Sequence, residues 1–194
     1  MEIEQLLNSI RDHYLETYRK EIALYKEKFS PGGPEVLLET GIDRDYVYRL
    51  YRIDLASGAV DPPNLTEVNP DSFLNFETQQ YELNGLEVKF SPIYWNGVEF
   101  NVTPSPKNDE SLQQWALGWI DPEETATTDD YGLGNYVHSI TTPETDGSTF
   151  TFSVDFGSSI TKAFFELLET LVKEGAISVK VHSNSMIGVD KNDA

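Results

Sequence analysis

Residues 81–102 read Tyr-Glu-Leu-Asn-Gly-Leu-Glu-Val-Lys-Phe-Ser-Pro-Ile-Tyr-Trp-Asn-Gly-Val-Glu-Phe-Asn-Val. Asn84-Gly85 and Asn96-Gly97 each accept the positive φ angles of a type I′ turn, which matches the twist of two paired strands. Leu86, Val88 and Phe90 alternate with Glu87 and Lys89, so a strand here buries one face and wets the other. Two successive hairpins predict an antiparallel meander. The fold class expected from it is α+β: an antiparallel sheet packed against a long N-terminal helix and a C-terminal helix.

Toward the C-terminus, Asp109 opens a short helix through Leu112, Trp115, Ala116 and Trp119, which Asp121-Pro122 ends. Residues 133–141 read as a strand and 142–147 as a turn. Thr149 to Asp155 alternate cleanly, with Phe150, Phe152 and Val154 on one face. Ser158 or Ser159 is placed to cap a helix carrying Ile160, Phe164, Leu167, Leu168, Leu171 and Val172. Gly175 suits its stop, and Ile177, Val179 and Val181 alternate as a final strand.

Toward the N-terminus, Ile3, Leu7, Ile10, Tyr14, Tyr18, Ile22, Tyr25 and Phe29 step by threes and fours. They form one stripe that can dock on the domain or pair with a second copy as a homodimer. Ser30-Pro31-Gly32-Gly33-Pro34 stops this helix. Residues 46–55 read as a strand and 57–72 as a loop. The expectation is one α+β domain over 1–182. It comprises a helix over 1–30, mainly antiparallel sheet over 45–155 and a helix–strand unit over 158–182. Residues 183–194 read as a flexible tail.

The chain has 194 residues, 39% hydrophobic and 12% aromatic, which is enough apolar mass for a core. No apolar run approaches the roughly 20 residues that span a bilayer. Met1-Glu2-Ile3-Glu4 carries acid where an export signal carries positive charge. With no cysteine, thiol chemistry and disulfides are excluded. A soluble, cytoplasmic protein is the expectation.

The formal net charge is -19, from 14 Lys and Arg against 33 Asp and Glu. Nucleic acid and anionic membranes are therefore unfavourable partners. The excess is concentrated: residues 80–155 hold only Lys89 and Lys107 against 13 acids.

No motif for a catalytic centre, metal or cofactor stands out. Gly132-Leu133-Gly134-Asn135 lacks the third glycine and the Lys-Ser/Thr pair of a phosphate loop. His13, His138 and His182 show no ligand spacing. No Gly-x-Ser-x-Gly elbow is present. Asp129-Asp130 lacks the spaced ligands of a calcium loop. Glu99, Asp121, Glu123, Glu124, Asp129 and Asp130 beside Trp95, Trp115 and Trp119 are the ingredients of a carboxylate-dependent hydrolase acting on carbohydrate. Trp115 and Trp119, four residues apart, share a helix face and read as core. Tyr94, Tyr131 and Tyr136 read as surface aromatics.

An acidic, cysteine-free chain without a catalytic motif is similar in character to the immunity proteins with which bacteria neutralise toxic nucleases. That resemblance implies a basic protein partner held by an acidic face. The residues expected to form the face are Glu123, Glu124, Asp129 and Asp130, with Tyr131 as an aromatic anchor. The alternatives are the carbohydrate hydrolase and an oligomeric module that pairs through the N-terminal helix.

Overall fold

The computed structural model of the chain describes residues 2–28, 32–57 and 64–183. Helix α1 runs Ile3–Lys28. Its stripe faces inward: Leu7, Ile10, Tyr14, Tyr18 and Ile22 are all buried within the one chain. The stripe docks on the protein's own core. Phe29 at its end lies outside the described residues.

Strand β1 (Gly32–Glu39) follows and pairs with β2 (Leu50–Ser57). The Gly-Gly-Pro segment read as a helix stop is thus also the start of an edge strand, where proline's missing N–H is tolerated. The expected strand over 46–55 begins late, because Tyr46–Arg49 form a 3-10 turn. Part of the expected loop forms β3 (Asn64–Thr66), paired with β2.

Strands β4 (Gln79–Leu83) and β5 (Leu86–Phe90) form the predicted hairpin. Asn84 (φ 51°) and Gly85 (φ 84°) take the left-handed values that its turn requires. The second Asn-Gly differs from expectation. It closes a single bridge, Tyr94 to Gly97, and β6 (Val98–Thr103) does not pair back on β5. Instead β10 (Ser178–His182) inserts between them, parallel to β5 and antiparallel to β6. Its alternating valines, buried at Val179 and Val181, suit an interior position.

The rest of the sheet is β7 (Ser139–Ile140), β8 (Glu144–Asp146) and β9 (Thr149–Asp155). Among the described residues the sheet has ten strands, with the order β1-β2-β7-β9-β6-β10-β5-β4 and with β3 on β2 and β8 on β9. Only two residues of the strand expected over 133–141 pair as one. The turn expected over 142–147 instead holds β8, which forms a hairpin with β9.

Helices α2 (Glu110–Ile120) and α3 (Thr161–Lys173) complete the architecture. Asp121 ends α2 in the left-handed conformation, φ 47°. Neither expected serine caps α3, which has Ile160 at its N-cap; Ser158 Oγ instead accepts the Tyr136 amide at 3.1 Å. Gly175 (φ 88°) ends α3 as expected.

An aromatic core joins the layers. Phe100 stacks on Phe152 at 5.1 Å, Trp95 stacks on Phe156 at 4.7 Å, and Phe164 of α3 packs on Phe100 and Phe156. Each such buried ring contributes roughly 2–3 kcal/mol by area alone. No helix among the described residues is long and apolar enough to cross a membrane.

Candidate functional site

The segment between α2 and β7 carries the acids that the sequence reading assigns to a binding face. Glu123, Glu124, Asp129, Asp130 and Tyr131 are all exposed. They do not all have the same freedom. Glu124 lies 3.3 Å from Arg52 Nη1, and Asp129 lies 3.7 Å from Arg19 Nη2. Asp129 Oδ1 also accepts the amides of Tyr131 at 2.9 Å and Leu133 at 3.0 Å, which shapes the loop. The Arg19 guanidinium lies 5.3 Å from the Tyr131 ring, and Lys26 Nζ donates to the Tyr131 carbonyl. Glu123 and Asp130 have no ion-pair partner among the described residues.

The base of this segment is fixed by Arg52, whose side chain is 1% exposed. Its guanidinium donates to the carbonyls of Glu35 at 2.8 Å, Ile120 at 2.9 and 3.1 Å, and Asp121 at 2.9 Å. Two of these are end-of-helix carbonyls of α2, where a cation also meets the negative end of the helix dipole. Tyr136 lies against the guanidinium at 3.7 Å. That tyrosine, read as a surface aromatic, is therefore buried, and Tyr94 is half-buried against Phe73. Tyr131 keeps its exposed place.

Other acids of the 80–155 stretch go elsewhere. Glu82 and Glu87 oppose each other on the β4–β5 hairpin, and Glu144 and Asp146 lie on β8. The acid surplus is thus divided among separate places, and the 123–130 loop is the densest exposed one. Trp95 and Trp115 are buried, and Trp119 is half-buried with its indole N–H on Glu166. These rings provide no open platform beside the loop acids.

A second constellation lies inside the domain. His138, 1% exposed, faces three carboxylates. Its Nε2 is 2.8 Å from Glu35 Oε1, and its Nδ1 is 3.0 Å from Asp54 Oδ1 and 3.9 Å from Asp155 Oδ2. The Asp54 contact is close but not aligned as a hydrogen bond. Imidazolium presents an N–H on both sides of the ring to these acceptors, whereas neutral imidazole turns a lone pair toward one of them. Burial alone would lower the histidine pKa. The charge of Asp155, when ionised, and the contacts with Asp54 and Glu35 outweigh it and hold the pKa well above the ordinary value.

Each carboxylate is tied elsewhere too. Asp54 accepts the Tyr14 hydroxyl at 3.2 Å and the Val68 amide at 2.6 Å. Glu35, in left-handed conformation at φ 54°, accepts the Gly134 amide at 2.6 Å. Asp155 accepts the Gly157 amide at 2.8 Å, and burial pushes its pKa up to about 7. Asp54 and Asp155 also line a polar cleft of about 240 Å³ with Glu67, Asn69 and Asn96. No aromatic side chain lines it.

No motif or ligand spacing in the sequence flags this centre. Its four members lie at 35, 54, 138 and 155 on separate elements, and spatial convergence leaves no spacing signal. One available hint was acid within strand patterns, at Asp54 after Ile53 and at Glu35 beside Val36. Among the described residues no three ligand-type side chains converge as a metal site. Comparison with family models, curated proteins and solved structures finds no significant match.

Proposed function

We propose that this chain is an acidic protein-binding module, an inhibitor of immunity type for a basic, nuclease-like protein, and that residues 123–131 are its docking face. One observation supports this most directly. Glu123 to Tyr131 are exposed without interruption, and among the described residues Glu123 and Asp130 form no ion pair. Arg52 and Arg19 brace the segment from beneath, so its carboxylates meet a partner with little ordering cost. Tyr131 supplies a large ring at the end of the acidic run, the residue type favoured at binding hot spots.

A basic partner would be drawn in by long-range attraction, which salt screens over about 10 Å at 0.1 M. The test is affinity capture at low salt from the source cells, with wild-type chain and with a variant reversing Glu123, Glu124, Asp129 and Asp130 to lysine. A basic protein retained by the wild type should be lost by the variant, and its association rate should fall as salt rises. Identical retained proteins on both baits would dismiss the acidic face as the binding surface.

A further inference from the structure

We propose that the His138 centre is a proton-operated clamp: it holds α1 and β1 against the sheet while Asp155 is protonated, and it loosens when Asp155 loses its proton into the adjoining cleft.

The geometry shows what is clamped. Around the His138 ring stand Glu35 from β1, Asp54 from β2 and Asp155 from β9. Tyr18 of α1 meets the ring edge-on at 6.1 Å and donates its hydroxyl to the Asp54 carbonyl at 2.7 Å. Tyr14, also of α1, donates to the Asp54 carboxylate. Val68, between β3 and β4, donates to the same carboxylate, and Glu67 beside it faces the cleft. Arg52 grips the Glu35 carbonyl. One imidazolium therefore connects the N-terminal helix, the edge strand and the middle of the sheet.

The charge balance shows what operates it. Three carboxylates against one imidazolium leave a net charge of about −2 in a largely dry site, an expensive state in low dielectric. One proton on a carboxylate halves the excess. Asp155 is the member from which a proton can reach solvent: it lines the cleft and its side chain is 25% exposed, against 2% for Glu35 and 5% for Asp54. Its raised pKa, about 7, agrees with that assignment.

The direction follows from linkage. Between the ordinary aspartate pKa of 3.8 and about 7, the folded chain holds a proton that the unfolded chain has released. Rising pH across that window therefore weakens the fold. His138 acts with the same sign: its contribution is complete below the ordinary histidine range and is lost as pH rises through its higher folded value.

The test compares urea unfolding of wild type and Asp155→Asn at pH 5, 6, 7 and 8. The wild-type unfolding constant should rise relative to the variant's by roughly three- to tenfold per pH unit from 5 to 7, the upper figure being the one-proton limit. It should then level off. A ratio flat across the series would overturn the clamp. Should the variant not fold, carboxyl-carbon and ring-nitrogen NMR of the wild type decides the question. Asp155 should titrate near 7, with both His138 nitrogens protonated at pH 7, and the Val68 and Gly134 amides should lose exchange protection from pH 6 to 8. An Asp155 titration below 5, or a neutral His138 ring at pH 7, would overturn it.

Discussion

Replacing Arg52 with methionine tests how the acidic loop is held. The substitution keeps chain length and removes every donor. Three main-chain carbonyls, those of Glu35, Ile120 and Asp121, then lose their guanidinium partner. A buried acceptor stripped of its donor costs about 1 kcal/mol or more. The guanidinium–Tyr136 contact at 3.7 Å adds ~1 kcal/mol in this desolvated place. Methionine returns part of the packing, so the expected net loss is about 3 kcal/mol. Against a total stability on the order of 5–15 kcal/mol this is large. Urea unfolding monitored by tryptophan fluorescence measures it. Arg52→Lys should lose about half as much, because an ammonium lacks the planar fork. Limited proteolysis should cut within 123–131 faster in the methionine variant. A loss under about 1 kcal/mol, with unchanged cleavage, would refute the view that Arg52 anchors the α2 terminus and the loop beyond it.

Two further substitutions test the packing and the loop charges. Gly157→Ala places a methyl at φ +47° where it overlaps the His138 ring, a rigid group rather than a flexible chain end; thermal melting should show a loss of about 3 kcal/mol or more. An unchanged melting temperature would mean the ring has room to move. Reversing only Glu123 and Asp130 to lysine should leave stability within about 0.5 kcal/mol, since neither has an ion-pair partner among the described residues. Adding Glu124→Lys and Asp129→Lys should lower it, because these place positive charge beside Arg52 and Arg19. Equal stability of the double and quadruple variants would contradict the difference drawn between the two pairs.

The helices and the strongly alternating strands were legible in the sequence because local pattern alone determines them. The α1 stripe, the Asn84-Gly85 turn, β9 and the Gly175 stop each depend on neighbouring residues. What escaped depends on distant ones. β1 was hidden in a Gly-Pro stretch that becomes a strand only through pairing with β2. The second Asn-Gly makes no hairpin because β10, some 80 residues later, takes the place beside β6. Ser158 leaves helix capping for the Tyr136 amide, a partner that no sequence window around residue 158 includes. The exposed loop acids were readable from charge density. Tyr136 was misread because its cover, Arg52, comes from another strand. The His138 centre was invisible for the same reason.

The position of β10 has a consequence for how the chain is made. Until residues 178–182 leave the ribosome, the β4–β5 hairpin and the β6–β9 pair have no common neighbour. Each exposes an unsatisfied edge in the meantime. At about 5–20 residues per second, that gap spans roughly 5–20 seconds after β5 has emerged. During it the two half-sheets are open to pairing with other nascent chains. Host chaperones that shield strand edges should therefore affect the yield of this protein more than its final stability.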